Sequence, residues 1–232
     1  MYKKYAIIVA GGFGSRMGST LPKQYLLLAG KPVLMHTIRQ FAVCGEELEI
    51  VVVIHPEMNG YWKELCGTYG FDVPHHVVYG GDTRFQSVKR GVDFVLQQTD
   101  DIAKTLISIH DAARPLVTTE IIRKSFCETT DKKACIVAVP SINSVREGDS
   151  TENIAKDRSR IWMVQTPQTF TADLLQQAFL QGESPVFTDD ASVVEQLGQR
   201  IYIIEGDYRN IKITYPEDIE LAKLYMDTLE RR

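Results

Sequence analysis

Short runs rich in β-branched residues recur along the chain: YAIIVA (5–10), EIVVVIH (49–55), HHVVYG (75–80), TLISIH (105–110), ACIVAVP (134–140) and RIYIIEG (200–206). Such runs read as strands buried on both faces. Segments of helical period lie between them: PVLMHTIRQFAVC, with Pro32 suited to a first helical position, then YWKELCGTY, RFQSVKRGVDFVLQQ and TTEIIRKSFCET, with Thr118 or Thr119 as the cap. This alternation predicts an α/β fold: a mostly parallel twisted sheet with helices on both faces, built of right-handed βαβ units.

The alternation breaks after Pro140. The polar segment SINSVREGDSTENIAKDRSRIWMV has a turn signal at Glu147-Gly148-Asp149 and reads as a protruding hairpin, an arm at about 140–162. Beyond it, TADLLQQAFLQ and TDDASVVEQLG read as helices, 200–204 as a strand, NIKIT as a short extended piece, and the chain closes with a helix from Pro216. With 232 residues, 44% of them hydrophobic, the whole chain can form one domain that carries the arm.

The formal net charge of -4 argues against general nucleic-acid binding, which needs a clustered positive surface. The longest apolar runs fall far short of the ~20 residues of a membrane span, so no membrane association is expected. Cys44, Cys66, Cys127 and Cys135 form neither a CxxC pair nor a zinc-spaced cluster, and read as buried, reduced thiols of a cytoplasmic protein.

The stretch VAGGFGSRMGSTLPKQY (9–25) follows the first strand. Glycines there let backbone N–H groups approach an anion closely. The GxxxxGK[ST] spacing is absent, and GxGxxG fails because Met17 stands where a small residue is required. Arg16 and Lys23, with Pro22 fixing the backbone before the lysine, supply two cations beside the amides. That suits a triphosphate whose bridging oxygen gains charge as pyrophosphate leaves. An unusual dinucleotide site and a structural glycine turn remain open on spacing alone.

Six motifs in order, AGGFGSRMG...LPKQY, GGDTRFQSV (80–88), HDAARPL (110–116), QTPQTF (165–170), TDDAS (188–192) and NIKIT (210–214), resemble the 2-C-methyl-D-erythritol 4-phosphate cytidylyltransferase family over residues 5 to 225. The resemblance implies a Rossmann-like sheet and transfer of CMP from CTP to methylerythritol phosphate, with release of pyrophosphate. It implies that Ala10, Gly11, Gly12, Phe13 and Gly14 wrap the CTP, while Arg16 and Lys23 stabilise the transition state. Gly81, Asp82 and Ser87 would contact cytosine and ribose, with Ala112 beside the nucleotide. Asp111 would help hold Mg2+, a hard cation that favours carboxylate and phosphate oxygens.

On the acceptor side the resemblance implies contacts from Arg114, Thr166 and Thr188, support from Gln168, and an orienting role for Lys212. The arm would cross a homodimer and place Ser144 and Arg158 in the partner's pocket, with Lys156 and Arg160 as alternatives to Arg158. His110 reads as a packed residue beside the site, and His75 and His76, alternating across a strand, cannot both face one metal.

Gly11 stands where this family commonly carries alanine, and the AGG form also occurs in ribitol 5-phosphate cytidylyltransferases. Ala112 and Ala113 in HDAARP favour methylerythritol phosphate as acceptor. An NAD-binding oxidoreductase would need GxGxxG and an acidic residue about twenty positions on. A non-catalytic nucleotide-binding regulator would most readily arise by loss of Arg16, Lys23, Asp111 or Lys212, and all of these are present.

Overall fold

The computed structural model describes residues 2–12, 21–45 and 47–230. Along the chain, β1 (Lys3–Ala10) leads through the small ribbon β2 (Leu27–Leu28) and β3 (Lys31–Pro32) to α1 (Val33–Ala42). Next come β4 (Leu48–Ile54), α2 (Asn59–Thr68), β5 (His76–Tyr79), α3 (Arg84–Gln98), β6 (Thr105–Asp111), α4 (Thr119–Lys132) and β7 (Ala134–Pro140). The hairpin β8 (Val145–Gly148) and β9 (Asn153–Lys156) precedes β10 (Trp162–Thr171), α5 (Ala172–Ala178), α6 (Asp190–Glu195), β11 (Tyr202–Glu205) and α7 (Glu217–Glu230).

Seven strands form one sheet in the order β11-β7-β10-β6-β1-β4-β5. All its pairings are parallel except those of β10, which runs antiparallel to both β6 and β7. The mostly parallel, Rossmann-like α/β sheet is therefore as expected. Successive residues of β1 face opposite layers: Ala6, Ile8 and Ala10 pack with α1 and α4 through Leu34, Ile38, Ile122 and Phe126. Tyr5 and Ile7 pack with Val88, Val92 and Val95 of α3 and with Leu175 of α5. A Cβ on Gly91 would sit 2.8 Å from Ile7 Cγ2, so glycine is what lets α3 lie this close to the sheet.

The chain runs from β1 outward through β4 and β5, then crosses back to place β6 on the other side of β1. That reversal opens a crevice at the carboxyl ends of β1 and β6, where ligands gather in open α/β sheets.

Several details differ from the sequence reading. The place of β10 inside the sheet, between β7 and β6, was not anticipated, since Pro167 removes a ladder donor and the run WMVQTPQTFT is polar. The register of β10 against β7 shifts between Val164 and Gln168, which places Pro167 in the irregularity where no donor is required. Thr169 shows how buried polar groups of this strand are paired inside the protein: Thr169 Oγ1 lies 3.1 Å from both Ser108 Oγ and Ser125 Oγ. Pro32 caps α1 from an extended conformation rather than opening the helix. Thr118 caps α4 by accepting from the Ile121 N–H.

NIKIT is a loop, tied to the end of β6 by Ile213 N–H donating to Ala113 O at 2.8 Å. The arm does form a hairpin, but its turn follows Gly148, whose φ of +125° suits glycine. Asp149 closes that turn by accepting from the N–H groups of Thr151 and Glu152. Of the four free cysteines only Cys135 is buried, and Cys127 is exposed rather than packed. No helix among the described residues is long and apolar enough to cross a membrane.

Candidate active site

The site is built first by backbone. Ala10, Gly11 and Gly12 leave the end of β1, and the buried Gln24 holds this segment from behind, its Nε2 donating to Ala10 O at 2.7 Å and Gly12 O at 3.1 Å. Lys23, beside Gln24, therefore reaches the same cleft. Phe13, Gly14 and Arg16 lie outside the described residues.

Opposite stands the turn Gly80-Gly81-Asp82 at the start of α3. Ser87 Oγ accepts from the Gly81 N–H at 3.1 Å, Gln86 Oε1 accepts from the Asp82 N–H at 3.1 Å, and Thr83 caps the helix through the Gln86 N–H. A Cβ on Gly80 would lie 2.7 Å from Ser87 Oγ and one on Gly81 2.5 Å from Gln86 Cβ, so the tight turn requires glycine at both. Gly11 faces the same serine: its missing Cβ would meet Ser87 Oγ at 3.2 Å. The Gly11 departure therefore bears on the packing against the Gly80-Gly81 turn.

The third wall is the end of β6. Asp111, 8% exposed, is surrounded by cations: Lys212 Nζ lies 2.9 Å and Arg114 Nε 3.4 Å from Oδ2, with Arg84 Nε 3.8 Å from Oδ1. Burial pushes its carboxyl up, but Lys212, Arg84 and Arg114 together more than reverse this and hold it well below the ordinary carboxylate range. Asp111 is ionised at neutral pH.

Beneath it, His110 is fully buried, and burial lowers its pKa to about 4. The neutral ring has Nε2 3.1 Å from Arg114 O and Nδ1 2.9 Å from Thr166 Oγ1. A carbonyl can only accept, so Nε2 carries the proton, and Nδ1 accepts from the Thr166 hydroxyl. That hydroxyl oxygen accepts in turn from the Asp111 N–H at 3.1 Å. The chain Asp111–Thr166–His110–Arg114 is thus fully paired and has no spare nitrogen for acid–base work.

Two adjoining clefts share the wall made by Arg84, Asp111 and Lys212. The first, about 290 Å³, gathers the Gly11-Gly12 segment, Lys23, the Gly81-Asp82 turn, Ser87 and Ala112. Arg114, Thr166, Gln168 and Thr188 line the second, about 330 Å³. Gln168 supports that side, donating to Asp189 Oδ2 and accepting from the Ala191 N–H, both at 2.9 Å. Ser144 and Arg158 are not brought in: both are exposed on the arm, where Arg158 Nη1 donates to Ile142 O at 3.1 Å.

Two residues were missed by sequence reasoning. Arg84 follows the cap Thr83 and lines both clefts, and the signal was its place at the first helical position after GGDT. Gln24 stands within the quoted LPKQY, but its backbone contacts could not be inferred from spacing.

No group of three or more His, Cys, Asp or Glu among the described residues could hold a metal. His75 and His76 are separated, His75 Nε2 accepting from Trp62 Nε1 at 3.1 Å while His76 lies 3.5 Å from Glu49. The single carboxylate of Asp111 nevertheless fits a magnesium held mainly by phosphate oxygens, because that ion often takes one or two protein carboxylates.

A family model described as 2-C-methyl-D-erythritol 4-phosphate cytidylyltransferase matches residues 5–228. The chain is similar to proteins of that name from Bacteroides fragilis, 45% identical over 94% of this chain and 96% of the relative, and Porphyromonas gingivalis, 46% identical over 97% and 98%. It also resembles the crystal structure of 4-diphosphocytidyl-2C-methyl-D-erythritol synthase from Anaerococcus prevotii, with TM-score 0.81 and 28% identity over 97% of this chain and 96% of that one.

Proposed function

The chain belongs to the 2-C-methyl-D-erythritol 4-phosphate cytidylyltransferase family, and from that premise we propose how its clefts perform the reaction. It transfers CMP from CTP to 2-C-methyl-D-erythritol 4-phosphate, giving 4-diphosphocytidyl-2-C-methyl-D-erythritol and pyrophosphate on the route to isoprenoid precursors. A phosphate oxygen of the acceptor attacks the α-phosphorus of CTP. The bond from that phosphorus to the oxygen bridging to the β-phosphate breaks, and pyrophosphate leaves with the electron pair. The acceptor phosphate is already ionised near neutral pH, so alignment and charge neutralisation carry the catalysis.

The observation that carries this reading is the cationic wall shared by the two clefts. Lys212 projects where both open, and Lys23 faces the first beside the glycine segment. In this reading the first cleft holds CTP, with Gly81, Asp82 and Ser87 toward base and ribose. Lys23 and Arg16 neutralise charge on the α-phosphate and the departing pyrophosphate. The second cleft holds the acceptor against Arg114, Thr166 and Thr188, and Lys212 orients its phosphate. Magnesium, held by Asp111 and the phosphates, would supply further neutralisation.

The chain acts as one nucleotidyltransferase domain whose arm at about 140–162 pairs with a second copy and lends Ser144 and Arg158 to the partner's acceptor cleft. Support comes from the exposure of both residues and from the exposed apolar Ile142, Ile154, Met163 and Val164 nearby. Four free thiols fit a reducing cytoplasm. Pyrophosphate release is followed with CTP, Mg2+ and either methylerythritol phosphate or ribitol 5-phosphate. Release with the first and not the second is expected; preference for ribitol phosphate would overturn the acceptor assignment.

A further inference from the structure

Three consecutive residues of the first turn of α3 reach across to the segment that precedes and opens α6. Arg84 grips Asp190 with both ends of its guanidinium, Nη1 to Oδ1 at 2.8 Å and Nη2 to Oδ2 at 2.6 Å. Phe85 stacks on Phe187, with ring centroids 5.8 Å apart and planes inclined by 14°. Gln86 Nε2 donates to Glu183 Oε2 at 3.3 Å, while its Oε1 accepts from the Asp82 N–H. The nucleotide-side turn and the acceptor-side segment containing Thr188 are therefore bolted together along one helical turn.

Arg84 is the central element. Asp190 is 1% exposed, and a buried carboxylate of this kind needs a paired cation. The third nitrogen of the guanidinium, Nε, lies 3.8 Å from Asp111 Oδ1. The charges alternate along the line Asp190, Arg84, Asp111, Lys212. Asp190 in turn opens the helix whose cap, Asp189, is held by Gln168.

We infer that Arg84 is a positioning residue for the transfer reaction, fixing the acceptor-side Thr188 segment relative to the nucleotide-side turn and to Asp111. The inference rests on the cytidylyl-transfer reading and goes beyond it, because it assigns the alignment of the two substrates to a residue between their clefts. A rigid fork is required: two parallel bonds set the guanidinium plane on Asp190, and that plane fixes where Nε is aimed. Lysine keeps the charge but offers a single flexible point contact. A pair that only joined α3 to α6 would affect stability and leave turnover per folded molecule unchanged.

The test uses Arg84→Lys in the full chain, with CTP affinity measured by calorimetry and kcat and acceptor KM by pyrophosphate release. The ratio kcat divided by acceptor KM should fall by about a hundredfold, the scale of a roughly 1 Å misplacement, and by more than CTP affinity falls. Asp190→Asn, nearly isosteric and leaving Arg84 in place, should shift the same parameter in the same direction by a smaller factor and serves if the lysine variant is poorly folded. Folded variants with unchanged kcat and acceptor KM, differing only in thermal midpoint, would overturn the inference. A parent chain that releases no pyrophosphate from CTP and methylerythritol phosphate would instead overturn the functional reading itself.

Discussion

Lys212 Nζ sits 2.9 Å from Asp111 Oδ2, so a loop that follows β11 supplies the nearest cation to the carboxylate at the end of β6. Stability from the lowered Asp111 carboxyl is present above its unfolded value, about 3.9, and is lost as pH falls through the lower folded one. Lys212→Gln removes the first of the charges that lower it. Acid unfolding followed by circular dichroism should move to higher pH in that variant, and an unchanged acid midpoint would contradict the electrostatic role.

His110 gives a separate pH signature. Its pKa is lowered to about 4 by burial, so between that value and the ordinary ~6.5 the unfolded chain binds a proton that the folded chain refuses. Folding stability should therefore fall as pH drops from 6.5 toward 4, with a slope of up to about 1.4 kcal/mol per pH unit from this group. Urea unfolding at several pH values in this window checks it, and His110→Asn should flatten the slope.

Lys23→Ala should reduce turnover by about 10²- to 10³-fold, the loss found when one preorganised electrostatic donor is removed. Its thermal midpoint should shift by less than about 2 °C, as for a substitution that leaves the core intact. Full activity in the folded variant would remove Lys23 from the mechanism.

Arg158→Ala and Lys23→Ala should complement one another when mixed and reassembled. With arm exchange, each mixed dimer holds one intact composite site, so random pairing restores about a quarter of parental activity. No recovery after mixing would contradict the shared site.

Much of this arrangement was legible because it is local. The β-branched runs marked β1, β4, β6 and β7, the Thr118-Thr119 pair marked a cap, and the glycines at 80–81 marked a turn. What stayed hidden depends on pairing across the chain. Thr166 finds His110 and Arg84 finds Asp190 only after the sheet forms, and the two partners in each pair lie far apart in sequence. Strand β10 was obscured because Gln165, Thr166, Gln168 and Thr169 are buried there against distant polar partners, and its Pro167 is accommodated by a register shift that no spacing rule reveals.

The most direct measurement follows labelled oxygen. Methylerythritol phosphate carrying ¹⁸O in its phosphate is incubated with CTP and Mg2+, and the products are separated and analysed by mass spectrometry. Attack of the acceptor phosphate on the α-phosphorus predicts that all the label stays in the CDP-alcohol and none enters pyrophosphate. Label in pyrophosphate, or CMP formed without a CDP-alcohol, would contradict the account.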